Sequence, residues 1–155
     1  MRGMKNEKSK LTNEQALELL KRGEFGVLST VCDDGLPYGV PLNYAVSGSY
    51  TVYFHGASVG QKLDNLKHND RVCLTVVPTA TVDPTKATTR YESVMAFGTA
   101  AVVANENEKK KALTLLLERF CSMNEDEKSA YIEQYFARAC VVRMDVEYLS
   151  GKSNL

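Results

Sequence analysis

Short apolar runs separated by Gly, Pro, Asp and Ser fill most of the chain from residue 25 to residue 146, and four stretches of helical period interrupt or flank them. The first helical stretch opens with Thr12 and Gln15 as a capping box; Ala16, Leu19 and Leu20 form one apolar face, and Gly23 ends it. At Phe25 the period changes. Residues 25–31 read as a strand, followed by a turn in which Asp34-Gly35 supplies the positive-φ positions of a hairpin. Residues 38–46 read as a second strand. Pro41 within it cannot donate to a ladder, which puts that strand at an edge or at a bulge. Ser47-Gly48-Ser49 is a turn and residues 50–54 a third strand.

Residues 71–77 then form a strongly apolar strand, 78–90 a Thr-rich loop containing Pro78 and Pro84, and 91–104 one long strand with a bend at Gly98. Asn105 and Glu108 repeat the capping box before a helix through Leu113, Leu116, Leu117 and Phe120. Asn124 and Glu127 cap another over 125–134, and 139–146 is the last strand, ahead of a polar tail with Gly151 and Lys152. Short strands spaced by turns predict an antiparallel barrel or sandwich, not a βαβ fold. Residues 1–10 read as a disordered arm and 11–155 as one domain, a length that suits a single core.

The most chemical stretch runs from Tyr53 to Asn69, Y-F-H-G-A-S-V-G-Q-K-L-D-N-L-K-H-N. A strand end passes through His55-Gly56-Ala57-Ser58 into a short helix, with Val59, Leu63 and Leu66 on one face and Ser58 as the expected N-cap. Gly56 and Gly60 allow close backbone approach, and Lys62 and Lys67 add charge beside the free N–H groups of the first helical turn. That combination describes an anion site, most naturally for phosphate. It matches neither the P-loop nor the dinucleotide fingerprint, so an ordinary strand-to-helix turn with a solvated lysine stays open beside it.

Composition narrows the classes. The 19 basic and 19 acidic side chains balance, giving no general attraction for nucleic acid or anionic membrane. The cysteines, Cys32, Cys73, Cys121 and Cys140, are widely spaced and read as free thiols of a reducing cytosol. His55 and His68 are too few for a dedicated zinc site. No apolar run reaches membrane-spanning length and the N-terminus is polar and basic, so a cytoplasmic location is expected. No nucleophile with a base and no paired carboxylates stand out.

Four segments together carry a family resemblance: G-V-L-S-T-V with D-G-L-P-Y-G-V-P-L-N-Y, the stretch from Tyr53 to Asn69, R-Y-E-S-V-M-A-F-G-T-A, and the closing G-K. In order and spacing the chain resembles the FMN-binding split-barrel proteins related to pyridoxamine 5'-phosphate oxidase, and within them the nitroimidazole-resistance flavoproteins. The resemblance implies a mainly β fold with flanking helices (α+β), a six-stranded antiparallel split β-barrel of the FMN-binding type. It implies a homodimer with FMN at the interface. The phosphate would lie at His55, Gly56, Ala57, Ser58 and Lys62, and the ring along Val40, Pro41, Leu42, Asn43 and Tyr44. Arg90, Tyr91 and Ser93 would come from the partner. The activity implied is a flavin-dependent reductase of small molecules such as nitroaromatics, with NADH or NADPH as the donor. Alternatives are an oxidase of the pyridoxamine 5'-phosphate type, a non-catalytic flavin or haem carrier or sensor with His55 or His68 as the axial ligand, and a deazaflavin binder.

Overall fold

Alternation with a two-residue period puts one side of most strands against a common core, and a computed structural model shows how that core is enclosed; it describes residues 7–48 and 50–155. After a 3₁₀ turn at Glu7–Ser9 come α1 (Asn13–Arg22), β1 (Phe25–Val31), β2 (Pro37–Asn43), β3 (Ala45–Ser47), β4 (Thr51–Ala57) and α2 (Gln61–His68). There follow β5 (Arg71–Asp83), β6 (Thr88–Val102), α3 (Glu106–Phe120), α4 (Glu125–Tyr135) and β7 (Ala139–Ser153). The strands form one seven-stranded antiparallel sheet in the order β2-β1-β5-β6-β7-β4-β3. Part of the expected N-terminal arm lies outside the described residues, as does Ser49 of the expected turn; Lys10 bridges to Lys152.

The expected second strand accounts for the seventh. It breaks at Tyr44: β2 pairs with β1 at one edge of the sheet, and β3 pairs with β4 at the other. Since only Tyr44 separates them, the sheet curls until its edges meet there. Pro41 sits on the edge strand, where its missing N–H breaks no central ladder. Below the join, Phe54–Ala57 of β4 has no strand on its outer side, because the β3 pairing stops at Ala45↔Tyr53. A slit therefore separates the free edge of β2 from the end of β4, and α2 follows directly from that end.

The barrel core holds Leu28, Tyr44, Phe54, Leu74, Val76, Val94, Met144 and Val142, with α1 packed on it through Ala16, Leu19 and Leu20. Tyr44 is fully buried, and its hydroxyl donates to the Leu20 carbonyl at 2.6 Å. A second cluster of Ala112, Leu113, Ile132 and Val141 lies under α3 and α4, with Tyr53 on its margin.

Several expectations change. Residues 78–90 are not a loop: β5 and β6 continue as a hairpin, pairing from Thr79↔Glu92 to Asp83↔Thr88. Thr favours extended backbone, and the register shift between Val76 and Thr79 accommodates Pro78. The last strand runs on to Ser153, so Gly151 and Lys152 lie in a ladder with β6 and not in a tail. At the first hairpin only Gly35 has positive φ, at 86°. Gly98 marks the β6–β7 register shift, and a side chain there would run into the Asp145 carbonyl. The boxes at Thr12 and Asn124 form completely. At Asn105 only the forward bond forms, because the Glu108 carboxylate accepts instead from Tyr53 Oη at 2.8 Å.

Candidate anion site at the barrel slit

The end of β4 and the start of α2 build the site. Alternation sends Val52 and Phe54 into the barrel and leaves Tyr53, His55 and Ala57 on the outer face. The chain then leaves the sheet through Ser58, Val59 and Gly60. Ser58 is not the cap: the N-cap is Gly60, at φ 140°, with no side-chain hydrogen bond to the helix. Val59 is exposed and lies outside α2, whose apolar contacts come from Leu63 and Leu66. Leu63 and Asp64 donate to the Gly60 carbonyl, while the N–H groups of Gln61 and Lys62 have no acceptor among the described residues. A first helical turn without a side-chain cap presents partial positive charge to whatever lies in front of it.

Lys62 is half-buried and folds over Gly56. A Cβ at residue 56 would sit 3.1 Å from the Lys62 ammonium, so glycine gives the ammonium its place. No carboxylate pairs with Lys62 among the described residues, whereas Lys67, its neighbour on the helix, is held by Asp64 at 2.8 Å. His55 stands beside this cation. Burial of its ring against the site, and then the Lys62 charge, hold its imidazole below the ordinary value. The neutral ring is therefore favoured at neutral pH. A half-buried cation without a counter-ion among the described residues, open helical N–H groups and a glycine cradle are the donor set of an anion site.

A polar network fixes α2 in place. Asn65 is buried and donates from Nδ2 to Thr30 Oγ1 of β1 at 2.8 Å, and Gln61 Nε2 donates to Asn65 Oδ1 at 2.7 Å. Thr30, also buried, is paired to β2. An unpaired Asn in that position would be expensive, so the completed network fixes where the helix begins. Nothing in the apolar pattern of the sequence marks Asn65; its position one turn before Asn69 only makes it look like a solvated helix residue.

The second half of the predicted site is arranged differently. Val40 and Leu42 turn their side chains onto the core. Tyr44 is wholly interior, so its side chain is not available to a ligand. The Asn43 amide donates to the Glu24 carbonyl at 2.9 Å. What β2 offers outward is its edge backbone, with Pro41 and Asn43 exposed beside it. Asn43, His55, Gly56 and Ala57 share the wall of one cavity of about 430 Å³, which continues beneath α3 and α4. The larger hollow, about 910 Å³, runs along the outside of α3 past Tyr53 and Glu118, away from Lys62.

The sequence of the whole chain decides its kinship: the family model described as pyridoxamine 5'-phosphate oxidase matches residues 12–153. The chain belongs to the pyridoxamine 5'-phosphate oxidase family. Solved structures agree on the fold. One is a protein of Bacteroides thetaiotaomicron provisionally described as a 5-nitroimidazole antibiotic resistance protein, at 21% identity and TM-score 0.74, covering 92% of this chain and 85% of that one. An FAD-binding protein of Mesorhizobium loti matches at 21% identity and TM-score 0.70, over 94% of this chain and 97% of that one. The FAD and heme binding protein of Mycobacterium smegmatis matches at 20% identity and TM-score 0.72, over 96% and 74%. No curated protein matches.

Within this family member the three remaining predicted residues stand apart from Lys62. Ser93 pairs with Lys152 of β7, whereas His55 pairs with Val141 of the same strand, so roughly 35 Å of strand separates them. Tyr91 lies under the Lys152 ammonium, 5.7 Å from ring centroid to nitrogen, and Arg90 is exposed on the β5–β6 hairpin. One copy of the chain does not bring them to the slit. Arg138, which sequence reasoning passed over, lines the cavity with His55. Among the described residues no cluster of three or more His, Cys, Asp or Glu could hold a metal, and no helix is long and apolar enough to cross a membrane. The four cysteines are free thiols.

Proposed function

We propose that this member of the pyridoxamine 5'-phosphate oxidase family binds FMN at the slit and serves as a flavin-dependent reductase of small acceptors, nitroaromatics among them, with NADH or NADPH as electron donor. The observation that carries the reading is Lys62: an ammonium without a carboxylate partner among the described residues, seated over Gly56 at the open N-terminus of α2. A phosphate monoester fits that donor set. The flavin-binding neighbours support the wider assignment, although theirs is FAD.

In this reading Lys62 and the N–H groups of Gln61 and Lys62 hold the phosphate, and Gly56 and Ala57 let it approach the backbone. The free edge of β2, from Val40 to Tyr44, gives backbone hydrogen bonds to the ring. Neutral His55 contributes one hydrogen bond near the anion without adding charge. Bound FMN would supply hydride and single-electron chemistry, so no side-chain nucleophile is required. Arg90, Tyr91 and Ser93 reach such a site only from a second copy of the chain, which is why we place the cofactor at a homodimer interface. We expect the protein in the cytoplasm.

Identifying the molecule that copurifies tests the core of this reading. FMN at one per chain is the expected result; FAD, a deazaflavin, haem or a colourless protein would each overturn it. Rapid mixing with NADH or NADPH, then with a nitroimidazole, tests the activity. A flavoprotein that performs neither step is a carrier, not a reductase.

A further inference from the structure

The end of α1 gathers side chains from distant parts of the chain. A helix leaves its last carbonyls without donors of its own. The left-handed glycine turn that commonly supplies them is not formed here: Gly23 is extended, at φ −66° and ψ 137°. Side chains take its place. Tyr44 Oη donates to the Leu20 carbonyl at 2.6 Å, and Asn43 Nδ2 to the Glu24 carbonyl at 2.9 Å. Between them a single nitrogen of Arg119, Nη2, donates to the carbonyls of Lys21 and Gly23, each at 2.6 Å. Arg119 stands in the last turn of α3, whose first turn is tied to β4 by the Tyr53–Glu108 bond at 2.8 Å. No carboxylate pairs with its guanidinium among the described residues; the negative end of the α1 dipole meets it instead. Its Nε is buried without a hydrogen-bond partner.

We infer that Arg119 is a positioning residue for the cofactor: by clamping residues 21–24 it fixes the Glu24 carbonyl, which fixes Asn43 and with it the end of the β2 edge. This rests on the reading that the flavin ring lies along that edge. A solvated glycine cap would end α1 without burying an unpaired donor, so what Arg119 adds is a fixed geometry. The barrel side has no slack: a Cβ on Gly23 would come within 2.4 Å of Val76 Cγ1 and 2.6 Å of Tyr44 Oη. Tyr44 does not depend on the clamp, because burial holds its ring. Asn43 does. It is exposed, and Phe25↔Asn43 is the last pair of the β1–β2 ladder. Its bond to Glu24 keeps that end of the edge from fraying, and Glu24 follows Gly23 directly in the chain.

The test uses the full chain with FMN bound and after its removal. Arg119→Met is compared with Thr12→Ala, which takes away the cap at the far end of the same helix. In Arg119→Met, FMN is expected to bind roughly threefold to tenfold more weakly, with the visible bands of the bound flavin displaced, since those bands follow the hydrogen bonds made to the ring. In Thr12→Ala both readings are expected to match wild type although the protein melts lower. The Asn43 side-chain amide, followed by NMR without cofactor, is expected to move in Arg119→Met and to stay in Thr12→Ala. Arg119→Lys keeps the charge and one nitrogen for both carbonyls and is expected to restore part of the affinity and of the bands. Wild-type affinity and bands in a folded Arg119→Met protein, an unmoved Asn43 amide, or equal flavin losses in Arg119→Met and Thr12→Ala would overturn the inference. If Arg119→Met does not fold, the wild type decides: its buried Arg119 Nε–H signal is expected to shift when FMN is added, and an unmoved signal would overturn it. An Asn43 amide that moves in a protein unable to bind FMN would sink the proposed function and leave the link from Arg119 to Asn43 standing. An unmoved amide in a protein that binds FMN would do the reverse.

Discussion

Replacing Lys62 with Met removes one charge and keeps most of the side-chain stem. Among the described residues the ammonium has no carboxylate partner to leave behind, so the fold should hardly notice: a change within about 0.5 kcal/mol, or a few degrees in Tm. A phosphate at the slit would notice. A charge-assisted hydrogen bond is worth about 1.5–3 kcal/mol, so FMN should bind roughly tenfold to a hundredfold more weakly. The assay is fluorescence titration of the cofactor-free protein with FMN, alongside thermal unfolding. Lys67→Met is the control, because Lys67 is exposed and paired with Asp64, and its loss should alter neither reading appreciably. A second measurement is independent of any cofactor. Lys62 lowers the His55 pKa, but burial is the larger cause, so in Lys62→Met the imidazole should titrate higher than in the wild type and still below its ordinary value, as followed by NMR. Unchanged FMN affinity in a folded Lys62→Met protein would refute the placement of the phosphate. An unmoved His55 titration would refute the electrostatics.

Three further outcomes follow from the same geometry. Tyr44→Phe leaves the Leu20 carbonyl without its buried donor and should lower stability by about 1–3 kcal/mol in a urea melt, while FMN affinity, which would use only the backbone of residue 44, stays near wild type. Asn65→Leu removes the donor to Thr30 Oγ1 and the acceptor of Gln61 Nε2 and should cost about 2 kcal/mol, whereas Gly56→Ala, which only crowds the tip of Lys62, will perturb stability far less. His55 has a folded pKa below its unfolded value, so the unfolded chain takes up its proton first. Its contribution is intact above the ordinary histidine pKa and is lost as pH falls through that value to the lowered one; His55→Gln should flatten this part of the stability profile.

Much of this was legible in the residues, and the misses have local causes. Capping residues announced the helices because their chemistry is short-range: Thr12 with Gln15 and Asn124 with Glu127 need only each other. Glu108 looked the same, but its carboxylate was drawn to Tyr53, 55 residues away, a contact no local rule contains. Pro78 and a run of threonines imitated a loop, yet the hairpin that contains them is fixed by cross-strand pairing. The turn after Phe54 stood out because glycine and lysine near a strand end are chemically specific. Ser58 was the natural candidate for the cap, and Gly60 took that role two residues later. Tyr44 was expected beside the ring; its buried side chain is a strut between the barrel and α1, which leaves its backbone for that role. Arg138 was invisible because the residues that line the cavity with it come from five elements, β2, β4, α3, α4 and β7.

A curled sheet whose margins are joined by the chain itself at one residue behaves as a wedge. Its apex, at Tyr44, is covalent and cannot be drawn apart; its mouth, toward Pro37 and Ala57, is bridged by α2 through the Asn65–Thr30 hydrogen bond. Any relaxation of the barrel therefore becomes a change in one angle. Because α2 springs from one flank of the wedge and is tied through Asn65 to β1, the same angle sets how far Lys62 stands from the opposite flank. A molecule gripping both flanks would lock that angle, and the whole barrel should stiffen with it.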